Sequence, residues 1–294
     1  MATDDKWATV TGALAKLVAE LPHTSRISLR YMGVVPTKPP PTSCTKDDDC
    51  GEYGPCLAVF NMCTGGVGGS ADSCDPADYL VPEIPLTDQL AAVPAIQSSL
   101  QAHKADGGGS PVFAALFGTL QSAVESQKAR REASTRVLFA TDGGDATGCK
   151  KQSPPEIAGV AKVAWDSGRV RTFIAGVSAS GDTPTQLGPV AVAGESKKVR
   201  VLPPGSTVEQ VADAMRAVVP RCTFALPPGS GYTLARKSAG GQVALPLVGA
   251  LAACSGDGYW LDDPQSPAKI ELCPKSCDAL VGPADQVVVK AACP

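Results

Sequence analysis

The chain has 294 residues, 44% of them hydrophobic and 19% charged, which is enough apolar material for a full α/β core with additions. Its 26 basic and 29 acidic residues leave a net charge of −3, without the basic surface that a nucleic-acid partner demands. No run approaches the ~18 apolar residues of a membrane span, and the acidic, amphipathic start is unlike a secretory signal peptide.

Trp7, Val10, Leu14, Leu17, Val18 and Leu21 recur at three-and-four spacing and predict an amphipathic helix over residues 1–21, with Thr3 or Asp4 as N-cap. A strand follows over 25–35, with Ile27, Leu29, Tyr31 and Gly33 on one face, and the prolines at 36, 39, 40 and 41 stop it. Residues 36–74 form a Cys/Gly/Pro-rich insertion in which Cys44, Cys50, Cys56 and Cys63 come at near-regular spacing, as in a small disulfide-stapled knob. Asp47, Asp48 and Asp49 within it lack the ligand alternation and later glutamate of an EF-hand, so they read as a solvated acidic turn.

The main domain resumes with helices over 87–103 and 111–128, Pro111 suiting a first helical turn. His103 at a polar helix end and His23 before a strand both read as solvated surface residues. A strand over 135–141, a helix over 155–167, a strand over 169–178, a helix over 184–192, a strand over 199–203 and a helix over 206–219 complete the pattern. Ser206 and Glu209 read as the capping box of the last helix. This alternation predicts, over 1–220, a doubly wound, mostly parallel sheet with helices on both faces. Residues 221–294 read as a β extension with segments at 232–234, 242–247, 259–261, 269–272 and 286–289, a second independent domain being the alternative.

Eleven cysteines, at 44, 50, 56, 63, 74, 149, 222, 254, 273, 277 and 293, favour an oxidising, extracytoplasmic setting: secreted, periplasmic or cell-surface. The four of the insertion are expected to pair among themselves, and Cys273 or Cys277 to pair within the extension; the odd total leaves one over. The competing zinc reading rests on Cys273-Pro-Lys-Ser-Cys277, which has no second close pair of matching spacing.

The segment RVLFATDGGDATG (residues 136–148) reads as a buried strand delivering Asp142 to a loop, and in an open α/β sheet ligands sit beyond the carboxyl ends of the strands. Upstream, DGGGSP (residues 106–111) places Ser110 on a glycine-rich turn that opens a helix. Together these resemble the second and third loops of the metal-ion-dependent adhesion site of von Willebrand factor A domains, with Ser110 in the family's threonine position and Asp142 in its aspartate position. The resemblance covers most of residues 1–220 apart from the insertion, and the extension is similar to that of secreted bacterial relatives.

The family's first strand and its Asp-x-Ser-x-Ser loop would lie before residue 1, so the chain reads as an N-terminally truncated member with an incomplete site or a misplaced start. The resemblance implies a non-catalytic protein–protein interaction or adhesion module that binds Mg2+ or Mn2+. Ser110 would coordinate directly and Asp142 directly or through water, and an acidic residue of the protein partner would take an open position. Capping roles for both residues, and a metal-free module that presents the insertion, remain alternatives.

Asp145 reads as a turn residue, and Trp7, Trp165 and Trp260 as packing. Gly176-Val-Ser-Ala-Ser-Gly181 lacks the glycine of a nucleophile elbow, and residues 106–109 lack the lysine of a phosphate loop, which leaves a small α/β hydrolase or cofactor-binding protein a weak rival.

Overall fold

The computed structural model describes residues 5–21, 25–66, 72–105, 110–130, 135–142, 149–150, 152–178, 182–196, 199–218, 222–226, 229–238, 240–250, 253–261, 263–280 and 286–292. The chain divides into two compact units, one of residues 1–128 and 135–218 and the other of 129–134 and 219–294.

The first unit is mixed α/β. Its helix α1 (Lys6–Glu20) buries Val10, Ala13, Leu17 and Val18 on one stripe, as the spacing predicted. Thr3 and Asp4, the expected caps, lie outside the described residues; Asp5 occupies the N-cap position. Strand β1 is confined to Arg26–Leu29, shorter than expected, because its pairing reaches only as far as its antiparallel partner. Ile27, Leu29 and Tyr31 nevertheless share one apolar cluster with α1.

The insertion holds a 3-10 turn at Asp47–Cys50 and the two-residue strands β2 (Cys56–Leu57) and β3 (Met62–Cys63), paired as a hairpin. The N–H of Ser73 donates to the Val34 carbonyl at 2.6 Å, so the insertion leaves and returns at one point. The buried Tyr79 hydroxyl reinforces that junction, its one proton shared between the carbonyls of Met32 and Ser73 at 2.8 and 2.7 Å; burial pushes its pKa far up.

Strand β4 (Ile84–Asp88), unforeseen in the sequence, pairs antiparallel with β1. After it come α2 (Gln89–Ala102) and α3 (Val112–Ala129), then β5 (Arg136–Thr141), α4 (Pro154–Gly168), β6 (Arg171–Val177), α5 (Asp182–Ala193), β7 (Val199–Leu202) and α6 (Val208–Val218). Strands β5, β6 and β7 form a parallel three-stranded sheet in sequence order. Among the described residues the strands of this unit therefore fall into three sheets, the parallel one, the antiparallel β1–β4 pair and the small β2–β3 hairpin, rather than into a single mostly parallel one.

Phe139 of β5 and Ile174 of β6 belong to one core with residues of α3, α4 and α5. Alternation along β6 turns Phe173 and Ala175 to the other face. Both are buried, and α6 packs along β6 and β7. Helix α1 lies against α6, and Arg216 of α6 ties the two together through Glu20 at 2.6 Å while also holding Glu209 and Asp213.

The capping box of α6 is shifted by one residue from the expectation. Gln210 accepts from the Thr207 N–H at 2.8 Å, and the Gln210 N–H donates to the Thr207 hydroxyl. Ser206 instead donates to the Pro203 carbonyl, and Glu209 is engaged by Lys16 and Arg216. An unforeseen capping box, Ser153 with Glu156, opens α4.

The second unit is antiparallel β. Strands β8 (Thr223–Ala225), β11 (Tyr259–Leu261) and β12 (Lys269–Leu272) form one sheet in the order β11-β12-β8. Strands β9 (Ser230–Ser238), β10 (Gly241–Leu245) and β13 (Gln286–Ala292) form another with β9 central. The short helix α7 (Pro274–Asp278) follows β12. Tyr232, Leu234 and Leu245 from one sheet and Tyr259, Ile270 and Leu272 from the other share a single core. All five expected β segments are present, and β8 and α7 are additions to them.

Disulfides join Cys44–Cys56, Cys50–Cys63, Cys74–Cys149, Cys222–Cys277 and Cys254–Cys273. The insertion cysteines pair among themselves and the extension cysteines within the extension, as their clustering suggested; Cys293, the eleventh, lies outside the described residues. Because Cys273 and Cys277 are each committed to a disulfide, the zinc reading of that motif falls. Among the described residues no helix is long and apolar enough to cross a membrane.

Candidate functional site

Asp142 follows the last residue of β5 at the carboxyl end of the parallel sheet. Thr141, before it, is fully buried and lies opposite Gly176 of β6. A Cβ on residue 176 would overlap the Thr141 carbonyl oxygen and stand 2.8 Å from its carbonyl carbon, so β5 closes onto β6 at a point where only glycine fits. That contact fixes where Asp142 leaves the sheet. Ser178 follows β6 at the same end, 8% exposed, with its N–H donating to the Leu202 carbonyl at 2.9 Å.

Ser110 sits two residues before the start of α3 and, like Asp142, is half-buried. Its carbonyl accepts the Val112 N–H at 2.7 Å, and the Pro111 carbonyl accepts that of Ala115 at 2.9 Å, which starts the helix. Pro111 has no N–H to satisfy in a first turn where no helical acceptor exists.

Cys149, the next described residue after Asp142, is bonded to Cys74. The next residue, Lys150, donates its N–H to the Glu52 carbonyl at 2.8 Å. These four residues and Pro111, Phe113 and Ala114 of the α3 start line one shallow cleft. The residues just after Ser110 therefore meet Cys149 and Lys150, which follow Asp142 in the chain. The cleft's enclosed space holds about one water, so it is no pocket for a small-molecule ligand.

Glu52, Lys150 and the Cys74–Cys149 bond were not foreseen as neighbours of this region. Their one sequence signal is that Cys74 and Cys149 stand apart from the insertion's regular cysteine spacing and each closes a glycine-rich stretch.

The other expected residues are placed as follows. Asp145 and His23 lie outside the described residues. His103 is not a plain surface residue: its ring stacks on Tyr31 with centroids 3.8 Å apart, beside Trp7, whose indole N–H donates to the His103 carbonyl at 2.9 Å. Trp165 has Arg169 and Arg171 over its ring, and Trp260 is buried. The Asp47–Asp49 turn is structural, since Asp49 accepts from Thr45 and Lys46 and Asp47 accepts the Cys56 N–H at 2.8 Å. Backbone and hydroxyl donors from Thr45 hold the exposed Asp49 carboxyl below the usual carboxylate range.

The sulfurs of Cys44, Cys50 and Cys63 lie within 4.8 Å of one another, a spacing that in a reduced protein would suit a soft metal. Here it reflects two adjacent disulfides, whose sulfurs are not thiolate ligands. No protein-family model matches the chain, and a search of the curated proteins finds no match.

Proposed function

We propose that the first unit is a non-catalytic protein–protein interaction module of the von Willebrand factor A type, working outside the cytoplasm and contacting its partner through a divalent cation. The observation that carries this reading is the placement of Asp142 at the carboxyl end of a parallel strand, with the start of α3 beside Ser110 lining a cleft with Cys149 and Lys150. The strand–helix alternation through β5, β6 and β7, with α3 to α5 in one core and α6 along β6, is in keeping with a doubly wound sheet. Five disulfides favour an oxidising compartment.

A hydroxyl and a carboxylate are hard oxygen donors of the kind that Mg2+ and Mn2+ take, and Mg2+ keeps several waters when only one or two carboxylates bind it. Ser110 and Asp142 fit such an ion as two of its ligands, and the positions they leave admit water and a carboxylate of the partner. Bound there, the ion would supply positive charge to an acidic partner residue. Gly176 positions Asp142 for that task, and Pro111 sets the backbone of Ser110.

Isothermal titration of the full, oxidised chain with Mg2+ and with Mn2+ tests the reading. Asp142→Ala is expected to weaken binding at least tenfold, because it removes the charged ligand, and Ser110→Ala to weaken it less. Equal affinity in the wild type and Asp142→Ala would leave the capping roles as the better account of both residues.

A further inference from the structure

The insertion presents an exposed apolar tip. Leu57, Ala58, Val59 and Phe60 are four consecutive exposed apolar residues, with Val59 88% and Phe60 68% exposed. Such a run on a folded surface is a liability unless it is used. It spans the last residue of β2 and the turn toward β3, closed by the Phe60 N–H donating to the Leu57 carbonyl at 2.8 Å and by Asn61 at φ 50°.

The base of the hairpin is clamped on both strands. Cys56 is bonded to Cys44 and Cys63 to Cys50, while the Asn61 carbonyl accepts the Cys44 N–H at 3.0 Å. The tip is thus rigid before it meets anything, which lowers the ordering cost of binding. The 3-10 turn that packs against β2 gives the base of the tip an acidic collar. Asp47, Asp48, Asp49 and Glu52 stand against Lys46 alone among the charged residues from 45 to 63. Asp47 touches β2 directly through the Cys56 N–H.

We propose that this stapled tip docks into an apolar pocket, rimmed by lysine or arginine, on another protein. The carboxylate collar disfavours the alternatives: anionic lipid surfaces attract basic segments, and a self-complementary contact between two copies would set like charges face to face. The surface works without a cation at Ser110 and Asp142.

The test uses the full chain with p-benzoylphenylalanine in place of Val59, irradiated in the cells that make it, with the photo-probe at the exposed Val163 of α4 as control. One protein is expected to cross-link from position 59 and not from 163. Purified, that protein should bind the unmodified chain directly, at least tenfold more weakly after Phe60→Ser or Asp48→Lys, and equally well with EDTA. Phe60→Ser at so exposed a site should leave the near-ultraviolet circular dichroism unchanged.

Absence of an adduct specific to position 59, or direct binding that survives Phe60→Ser, overturns the proposal. So does co-sedimentation with phosphatidylcholine or phosphatidylserine vesicles that Phe60→Ser abolishes, which assigns the tip to membranes. A dimer in sedimentation velocity that Phe60→Ser dissolves assigns it to self-association. Loss of the direct binding in EDTA would return the contact to the cation site.

Discussion

Gly118→Ala and Gly159→Ala make the same chemical change in the interiors of two helices of one unit, and the fold sets them opposite signs. On helix propensity alone each should stabilise, because alanine restricts the unfolded chain and suits the helix better by about 1 kcal/mol. Around Gly159, on the exposed side of α4, nothing lies within 4 Å of the added methyl, so the full gain of about 0.5–1 kcal/mol is expected. Gly118 of α3 faces the 3-10 turn Pro76–Tyr79. There a methyl would overlap the Pro76 carbonyl oxygen and stand 2.7 Å from Tyr79 Cβ and 2.9 Å from its carbonyl carbon.

These obstacles are mostly backbone and cannot rotate away, and Tyr79 is fixed by its hydrogen bonds to Met32 and Ser73. Overpacking of this kind costs about 1–3 kcal/mol, and here the upper part of that range applies, leaving a net loss of about 1–2 kcal/mol after the propensity gain. For a unit of this size each kcal/mol moves the midpoint by roughly 2–4 °C. Thermal unfolding followed by circular dichroism should therefore show Gly118→Ala below the wild type by several degrees and Gly159→Ala slightly above it. If both variants melt at or above the wild type, the close packing of α3 on the 76–79 turn is refuted.

Non-reducing peptide mapping should recover the five bonds described, and any exchange of Cys74 or Cys149 with an insertion cysteine would contradict the fold of that region. Replacing the Cys74–Cys149 pair by serine should cost more than replacing Cys50–Cys63, because their sequence separations of 75 and 13 correspond to about 4.5 and about 3 kcal/mol of chain entropy; urea unfolding giving the reverse order would count against it. Glu209 is held at a pKa of about 2, from a usual 4.5, first by Lys16 and then by Arg216. Its folded pKa is depressed, so its stabilisation is present above pH 4.5 and lost as the pH falls toward about 2. The melting difference between wild type and Glu209→Gln should close across that window, and a difference constant with pH would dismiss the ion pair.

The helices α1 to α6 and the strands β5, β6 and β7 were legible because each carries a continuous apolar period bounded by turn residues. Strand β4 was hidden by Pro85, which ordinarily argues against a strand but is tolerated on an edge. The α6 cap was ambiguous in Ser206-Thr207-Val208-Glu209-Gln210, where two overlapping boxes fit, and the tie is broken by Lys16, far away in sequence. His103 stacking on Tyr31 and the Cys74–Cys149 bond depend on contacts across long separations that no local spacing encodes. Of the candidate site, Ser110 and Asp142 could be read from strand and turn chemistry, whereas the close approach at Gly176 that positions one of them could not.

The Cys74–Cys149 bond also governs how a mechanical load would pass through the chain. Pull on the two ends, and tension reaching Cys74 crosses the sulfur bridge to Cys149 without entering the intervening polypeptide. Ser110, Asp142, α2, α3 and β5 all lie inside that bypassed ring. A molecule tethered at both ends would extend elsewhere first, and the loops bearing its candidate contact residues would stay unstretched for as long as the bridge remained oxidised.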